Sequence, residues 1–347
     1  MAAVAIGVDT HKDTLAACLV DGPGVAREER AFGNDPAGHA ALAAWARGLG
    51  EPGLRIGVEG SSSYGAALAR HLVAAGLAAV EVPPQLSRRE RGRTRRPGKS
   101  DPGDAFAIAR VALAEPGLPP VRLADRTRDL QLLAEARDCA VVAQTRARNR
   151  LHAHLLVLAP GYGSAVARLV TGPELAAARR LLRGHRGVAA DLARAELAEV
   201  VRLGRRADAL GRQIRSLVGD DPLLAIPGCG HLSAAVLRGE AGEVSRFPSA
   251  DAFAMFAGVA PLPASSGRTS RVRCNRRGNR RANRAVWTIA AWQARFDPRA
   301  KAYLARKRAE GKTWREALRC LKRHLVRHVF AALVAGHQTI VNQPLTP

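Results

Sequence analysis

The first 120 residues alternate between short apolar runs and longer segments with helical spacing, and this alternation limits the possible folds more than any other feature. Three apolar runs come in succession before any helical segment, and two more lie farther along. The predicted strands are residues 5–8, 15–20, 25–32, 54–58 and 78–82. Helical spacing is present at residues 36–49, 64–75 and 101–114. This order predicts an α/β domain with a mixed sheet and helices on its faces.

The rest of the chain has a mainly helical pattern. Residues 122–218 are helical with breaks at 159–163 and at Gly172-Pro173, and their apolar stripes predict long, coiled-coil-like helices packed against each other or against a second copy. Beyond Asp221-Pro222 we predict a mainly α segment, with helices at 282–291 and 313–334 and a loop at 259–278. The expected domains are therefore residues 1–120, 121–220 and 221–340.

The chain is strongly basic, which indicates a polyanionic partner. Its 54 Lys and Arg residues exceed its 30 Asp and Glu residues, giving a formal charge of +24. Nucleic acid is the first candidate partner and an anionic membrane the second. We expect a cytoplasmic location and no membrane association, because the sequence has neither a long apolar span nor a secretory leader pattern. Five widely separated cysteines argue against a disulfide framework or a zinc site.

A basic segment occupies residues 85–100 and reads QLSRRERGRTRRPGKS. It contains Gly and Pro and lacks apolar periodicity, so we predict a loop that orders only on binding. Solvated surface charge is one explanation, and contact with a nucleic-acid backbone is the favoured one because acidic residues follow directly. The predicted nucleic-acid contacts are Arg88, Arg89, Arg91, Arg93, Arg95, Arg96 and Lys99.

Four acidic residues stand at positions where they can converge. Asp9 and Glu59 each follow the last apolar residue of a predicted strand, and Asp101 and Asp104 share one turn of a predicted helix. Taken singly, such residues are commonly turn or capping residues. Taken together, they supply the oxygen ligands that Mg²⁺ or Mn²⁺ prefers, and such ions can clamp the attacking and leaving oxygens of a phosphodiester.

A glycine-rich turn near residue 228 is a second candidate for nucleic-acid contact. The sequence IPGCGHLSAA at residues 226–235 resembles a helix-hairpin-helix turn, in which Gly228 and Gly230 leave backbone N–H groups open at the start of a helix. Such a helix end attracts phosphate without reading sequence. An ordinary helix–helix turn is the alternative.

A third candidate is the serine pair Ser265 and Ser266, which precedes Gly267. Serine beside glycine is common in solvated loops. Here, however, several guanidinium groups follow and could stabilise charge on phosphate oxygens during attack by a serine hydroxyl. The predicted nucleic-acid contacts in this region are Arg268, Arg271, Arg273, Arg276 and Arg277.

Taken together, these motifs resemble those of one family of insertion-sequence transposases, the IS110 family. The resemblance rests on GVDTHK at residues 7–12, VEGSSSYG at 58–65 and KSDPGDA at 99–105, which look like its D-E-D-D motifs. It implies an RNase H-like domain similar to the resolvase RuvC, with Asp9, Glu59, Asp101 and Asp104 as metal ligands. The match extends over nearly the whole chain.

The C-terminal sequence is similar to the family's transposase domain. This resemblance implies that Ser266, with Ser265 as the fallback, attacks DNA and forms a covalent phosphoserine link. It also implies donor and target DNA as substrates, a structured bridge RNA as guide and a homo-oligomer as the working form. The chain departs from the family pattern at Asn275-Arg276 and at Ala282-Asn283.

Three other functions remain open at this point. A Holliday-junction nuclease would need only the four carboxylates and water. A kinase-like phosphotransferase has a related sheet and an early Gly-x-Asp strand, but the charge of +24 and the missing second phosphate loop argue against it. A non-catalytic nucleic-acid-binding protein would keep its cellular effect without Asp101.

Overall fold

The structure is a computed structural model that describes residues 4–93, 101–121, 126–263, 272–275 and 278–341. The chain forms two compact units, Met1–Asp125 and Arg126–Pro347. No helix within the described ranges is both long enough and apolar enough to cross a membrane.

A five-stranded mixed sheet is the centre of the N-terminal unit. Its spatial order is β3-β2-β1-β4-β5, with antiparallel β1–β2 and β2–β3 pairs and parallel β1–β4 and β4–β5 pairs. The strands are β1 Val4–Thr10, β2 Thr14–Asp21, β3 Ala26–Gly33, β4 Arg55–Val58 and β5 Ala79–Glu81. The five predicted strands and the mixed sheet are thus confirmed.

Helices cover both faces of this sheet. On one face, the strand residues Ile6 and Ile56 pack with Leu42 of α1 and Leu68 of α2. On the other face, Ala5, Cys18 and Val20 pack against α4. Buried apolar residues therefore alternate between the two faces along β1 and β2. The helices of this unit are α1 Pro36–Gly48, α2 Ala66–Ala74, α3 Pro84–Arg93 and α4 Asp101–Ala114.

The prediction of a loop at residues 85–100 is wrong for its first part, because residues up to Arg93 belong to α3. The helix lacks apolar periodicity, but Leu86 packs against α4, Ser87 is buried and Glu90 accepts a hydrogen bond from Arg110 at 2.7 Å. Tertiary partners therefore order a segment that local composition does not. Residues 94–100 lie outside the described ranges.

The described part of the C-terminal unit is mainly helical. Two long helices, α5 and α7, pack against each other. The helices are α5 Arg126–Leu158, α6 Gly172–Leu182, α7 Val188–Val218, α8 His231–Ala241, α9 Ala250–Phe256, α10 Arg280–Phe296, α11 Pro298–Ala309 and α12 Trp314–Val341. The predicted break at Gly172-Pro173 lies slightly earlier, at residues 165–171. Gly172 begins α6, where Thr171 and Glu174 form a capping box.

Two cores stabilise this unit. The paired ends of α5 and α7 contribute Leu130 and Ile214 to a large core that also contains Phe253 and Val326. The far ends of the same helices form a smaller core with α6, which includes Leu155. A separate domain boundary near residue 220 and a coiled coil in the middle region stay predictions.

The predicted loop at residues 259–278 is also wrong in part, because it contains an antiparallel hairpin of β6 Pro261–Pro263 and β7 Val272–Cys274. Two prolines made a strand improbable from sequence. A two-stranded sheet consists of edge strands alone, however, and an edge strand tolerates proline. Residues 264–271, which connect the strands and include Ser265 and Ser266, lie outside the described ranges.

Candidate functional site

Two glycines let α4 lie directly on the sheet. Gly7 of β1 and Gly57 of β4 are register partners in the parallel pair. A Cβ on Gly7 would lie 2.1 Å from the backbone nitrogen of Ala109 and 2.2 Å from the carbonyl oxygen of Ala105. A Cβ on Gly57 would lie 2.8 Å from the Cβ of Ala112. Both positions therefore face α4, and no larger residue fits without moving the helix.

The same face carries two carboxylates at the strand ends. Asp9 and Glu59 each follow one of these glycines by two residues, and side chains two apart on a strand share a face. The Glu59 N–H donates to the Val8 carbonyl at 3.2 Å, and the Thr10 hydroxyl donates to the Glu59 carbonyl at 2.9 Å. These bonds hold the two acidic residues beside each other at one edge of the sheet.

Helix α4 brings a third carboxylate to this edge. Arg55, at the start of β4, donates to the carbonyl of Glu115, just beyond the end of α4, at 3.0 Å. The helix therefore runs antiparallel to β4, and its N-terminal turn with Asp104 lies toward the carboxyl ends of the strands. Asp104 is buried. Asp101 begins the same helix, and its side chain lies outside the described part of the structure.

Helix α3 contacts two of these carboxylates. The buried Ser87 hydroxyl donates to Glu59 Oε2 at 2.7 Å, and Arg91 Nη1 lies 2.5 Å from Asp104 Oδ1. Ser87 and Arg91 are four residues apart and so share one helix face. Sequence reasoning missed Ser87 altogether, because a serine within an arginine-rich segment gives no local signal. The sequence analysis predicted that Arg91 contacts nucleic acid, whereas in the structure Arg91 forms an ion pair with Asp104.

The three described carboxylates are of the oxygen-donor type that a hard divalent cation prefers. Asp9, Glu59 and Asp104 offer carboxylate oxygens on one face and near one sheet edge, and the positive N-terminal end of α4 adds favourable electrostatics for negative charge there. His11 also lies here, with Nε2 3.3 Å from Asp9 Oδ2. Within the described side chains, no group of three or more His, Cys, Asp or Glu residues is arranged as a metal site. We name Asp9, Glu59 and Asp104 the carboxylate edge.

The other basic residues of the 85–100 segment are only partly described. Arg88 and Arg89 are exposed on α3, which is compatible with the predicted backbone contacts. Arg93 ends α3, but its side chain is not described. Arg95, Arg96 and Lys99 lie outside the described ranges.

The glycine turn before α8 has a packing role. Gly228 has a φ of +84°, and a Cβ there would lie 2.8 Å from the ring of Trp292. The positive φ and the close contact with Trp292 each favour glycine at this position, whether or not it binds phosphate. Gly230 is the N-cap of α8, and a Cβ there would have no atom within 4 Å. Of the two predicted phosphate contacts, Gly230 has the open surface, and its role stays a prediction.

We name the β6–β7 hairpin the serine hairpin, because residues 264–271 between its strands include Ser265 and Ser266. Side-chain amides hold its base. Asn283 donates to the carbonyls of Ala257 and Gly258 at 3.0 and 2.8 Å. Asn279 caps α10 by accepting from the N–H groups of Arg281 and Ala282. The predicted residues Ser265, Ser266, Arg268, Arg271, Arg276 and Arg277 lie outside the described ranges, as does the side chain of Arg273.

Comparison with known proteins gives matches to both units. Residues 6–160 match a transposase model of the IS110 DEDD type, and residues 220–305 match the "Transposase IS116/IS110/IS902 family". The 42 kDa protein of insertion element IS900 from Mycobacterium paratuberculosis is 30% identical over 312 residues, which is 76% of this chain and 78% of that protein.

Two further proteins show shorter similarity. The 43.6 kDa protein of insertion element IS110 from Streptomyces coelicolor is 38% identical over 133 residues, 37% of this chain and 33% of that protein. A solved structure of T. thermophilus RuvC with a Holliday junction substrate is 18% identical, with a TM-score of 0.25, and the match covers 30% of this chain and 89% of RuvC.

The matches to both units define the class as insertion-sequence transposase, an enzyme that cuts and rejoins DNA. The chain belongs to the IS110 family of these transposases. The family indicated by the sequence motifs is thereby confirmed.

Proposed function

We propose that this transposase cuts and joins DNA with a divalent metal ion bound by Asp9, Glu59, Asp101 and Asp104, and with Ser266 as nucleophile. The observation that carries the metal site is the carboxylate edge. Asp9 and Glu59 follow Gly7 and Gly57 on the face that α4 covers, and Asp104 lies in the first turn of α4 itself.

Mg²⁺ or Mn²⁺ bound there would act as a Lewis acid on phosphate oxygens. The chain's own residues orient the carboxylates. Ser87 fixes one Glu59 oxygen by donating a hydrogen bond, and Arg91 balances the charge of Asp104.

The proposed chemistry at the serine proceeds in two displacements at phosphorus. The Ser266 Oγ–P bond forms while the bond from phosphorus to the bridging oxygen of the departing strand breaks. The serine proton is lost to solvent, and the departing oxygen gains a proton as a hydroxyl. In rejoining, a strand hydroxyl attacks the phosphoserine, loses its proton and releases the serine oxygen, which is protonated again.

The proposed partners are donor and target DNA, a structured bridge RNA that pairs with both, and further copies of this chain in a homo-oligomer. A formal charge of +24 supports a polyanionic partner because it favours long-range attraction and counterion release. This charge does not distinguish RNA from DNA. The RNA and the oligomer rest on family membership.

A search for a covalent intermediate tests the proposal. The protein would be expressed with its native flanking DNA and purified under denaturing conditions, and nuclease-sensitive nucleic acid still attached to it would be measured. We expect an adduct in wild type and in Ser265→Ala, and none in Ser266→Ala or Asp101→Ala. Metal-dependent nicking without any adduct in wild type would instead indicate a nuclease that uses water.

A further inference from the structure

A large cleft opens at the base of the serine hairpin. It has a volume of about 1340 Å³ and lies between residues 258–261, Asn275 and Gly278 on one side and α11 and α12 on the other. Seven Lys or Arg side chains and two Glu side chains line the described part of its wall. We call it the basic cleft.

Helix α12 supplies a regular row of positive charge to this cleft. Arg319, Arg323 and Arg327 are four residues apart, which places them on one face of the helix. Arg323 Nη2 lies 2.5 Å from Asp251 Oδ1, whereas Arg319 and Arg327 are exposed. The row therefore presents at least two guanidinium groups to an incoming ligand.

The two glutamates of the cleft are already engaged. Lys307 donates to both oxygens of Glu310, at 3.0 and 2.8 Å, and these bonds lower the pKa of Glu310. Thr313 donates to Glu316 through its hydroxyl and its N–H, and these bonds lower the pKa of Glu316. The excess positive charge of the cleft thus lies mainly with the arginines and with Lys322.

Lys322 is the most buried cation of the cleft, with an exposed fraction of 9%. Its ammonium group donates to Asn283 Oδ1 at 2.8 Å, and the amide of Asn283 in turn holds the backbone at Ala257 and Gly258. A single chain of hydrogen bonds therefore fixes the position of this cation relative to the strand that leads to Ser265 and Ser266.

We propose that the basic cleft binds the phosphodiester backbone of the DNA strand that the hairpin serine attacks, with Arg319, Lys322 and Arg327 contacting its phosphates. This inference rests on the proposed function, which places the nucleophile on the hairpin. Arginine matches the geometry of phosphate oxygens, and such backbone contacts position a strand without reading its sequence. In this proposal, Lys322 contacts the phosphate that lies nearest the base of the hairpin.

Binding of labelled oligonucleotides tests this inference without requiring catalysis. Full-length Ser266→Ala protein would be titrated with single-stranded DNA, and with RNA of the same sequence, by fluorescence anisotropy at several salt concentrations. We expect Arg319→Gln/Arg327→Gln to weaken DNA binding about 10-fold or more and to reduce the salt slope by about 0.7 for each lost contact. The control is Arg205→Gln/Arg206→Gln, which removes two exposed positive charges from α7 and should weaken DNA binding less.

Localisation and specificity complete the test. DNA containing a photoreactive thiothymidine should cross-link to α12 peptides, and Lys322→Gln should reduce this cross-link while the melting temperature verifies its fold. Equal losses in the Arg319/Arg327 and Arg205/Arg206 variants, absence of α12 cross-links, or loss confined to RNA would each overturn the inference. Because Ser266 is already absent, failure of the serine mechanism would appear in the adduct experiment and not here.

Discussion

Asp9 and Glu59 take their positions from backbone pairing in the sheet, whereas the base of the serine hairpin takes its position from side-chain amides. At the carboxylate edge, strand register and the close approach of α4 to Gly7 leave little freedom. At the hairpin, Asn283 holds two carbonyls of a turn. The first region is therefore placed by strand register, and the second by hydrogen bonds from single side chains.

The largest expected effect concerns the interior of the C-terminal unit. Asp221 accepts two hydrogen bonds from Arg238, which is almost fully buried, at 2.9 Å each. Asp221→Ala leaves that guanidinium group buried without its carboxylate, so we expect a loss of about 3–5 kcal/mol in the free energy of unfolding. Urea denaturation of wild type and variant measures this change in the free energy of unfolding. The exposed pair Glu199–Arg202 is the control, and Glu199→Ala should lower the free energy of unfolding far less than Asp221→Ala does.

If Asp221→Ala cost no more than Glu199→Ala, the buried Asp221–Arg238 pair would not be a main support of this interior.

A slightly smaller effect is expected at the carboxylate edge. Gly7→Ala places a methyl group 2.1 Å from the backbone of α4, which cannot yield as a flexible side chain can. We expect a destabilisation of about 3 kcal/mol or more and a loss of metal-dependent activity. Gly48→Ala is the matched control, since a Cβ there meets nothing within 4 Å and alanine favours the helix. Equal stabilities of the two variants would contradict a close helix–sheet contact.

A moderate effect is expected at Ser87. Ser87→Ala removes the hydrogen bond to Glu59, which is worth about 0.5–1.5 kcal/mol, so we expect roughly a 2- to 10-fold loss in metal affinity. Ser87→Thr keeps the hydroxyl and should restore much of the affinity if the residue positions Glu59. Calorimetric titration with Mn²⁺ measures the metal affinity of each variant. A Thr variant as weak as the Ala variant would point to packing of the residue instead.

The smallest effect is a pH dependence at the start of α6. Backbone hydrogen bonds from Thr171, Arg168 and Val170 lower the pKa of Glu174 to about 2. Because the folded-state pKa lies below the ordinary value of 4.5, this stabilisation is present above pH 4.5 and is lost as the pH falls toward 2. The difference in melting temperature between wild type and Glu174→Gln should shrink over this range, and a constant difference would contradict the assignment.

The carboxylate edge could be largely predicted from the sequence, for a physical reason. Asp9 and Glu59 each end a short apolar run, and the carboxyl ends of neighbouring parallel strands meet at one edge of a sheet. The register partnership of Gly7 and Gly57 was not predicted, since strand pairing depends on contacts that are distant along the chain. The same holds for α3, whose order depends on Ser87 and Arg91 reaching Glu59 and Asp104.

The basic cleft could not be predicted from the sequence. Its cations come from the start of α10, from α11 and α12, and from the turn between α11 and α12. The chain is rich in arginine everywhere, so no local run distinguishes Arg319 or Arg327 from solvated residues. The hydrogen bond from Lys322 to Asn283 joins residues 39 positions apart. Asn283 is also one of the positions that depart from the family pattern, and its contacts give that departure a structural role.

Divalent metal binding tests the central claim most directly. Calorimetric titration of the full chain with Mn²⁺ would compare wild type with Asp9→Asn, Glu59→Gln and Asp104→Asn, and with Glu51→Gln as an exposed control in the same unit. We predict that each of the three edge variants loses about 10-fold or more in affinity while Glu51→Gln binds as wild type does. Unchanged binding in all three edge variants would contradict a metal site at the carboxylate edge.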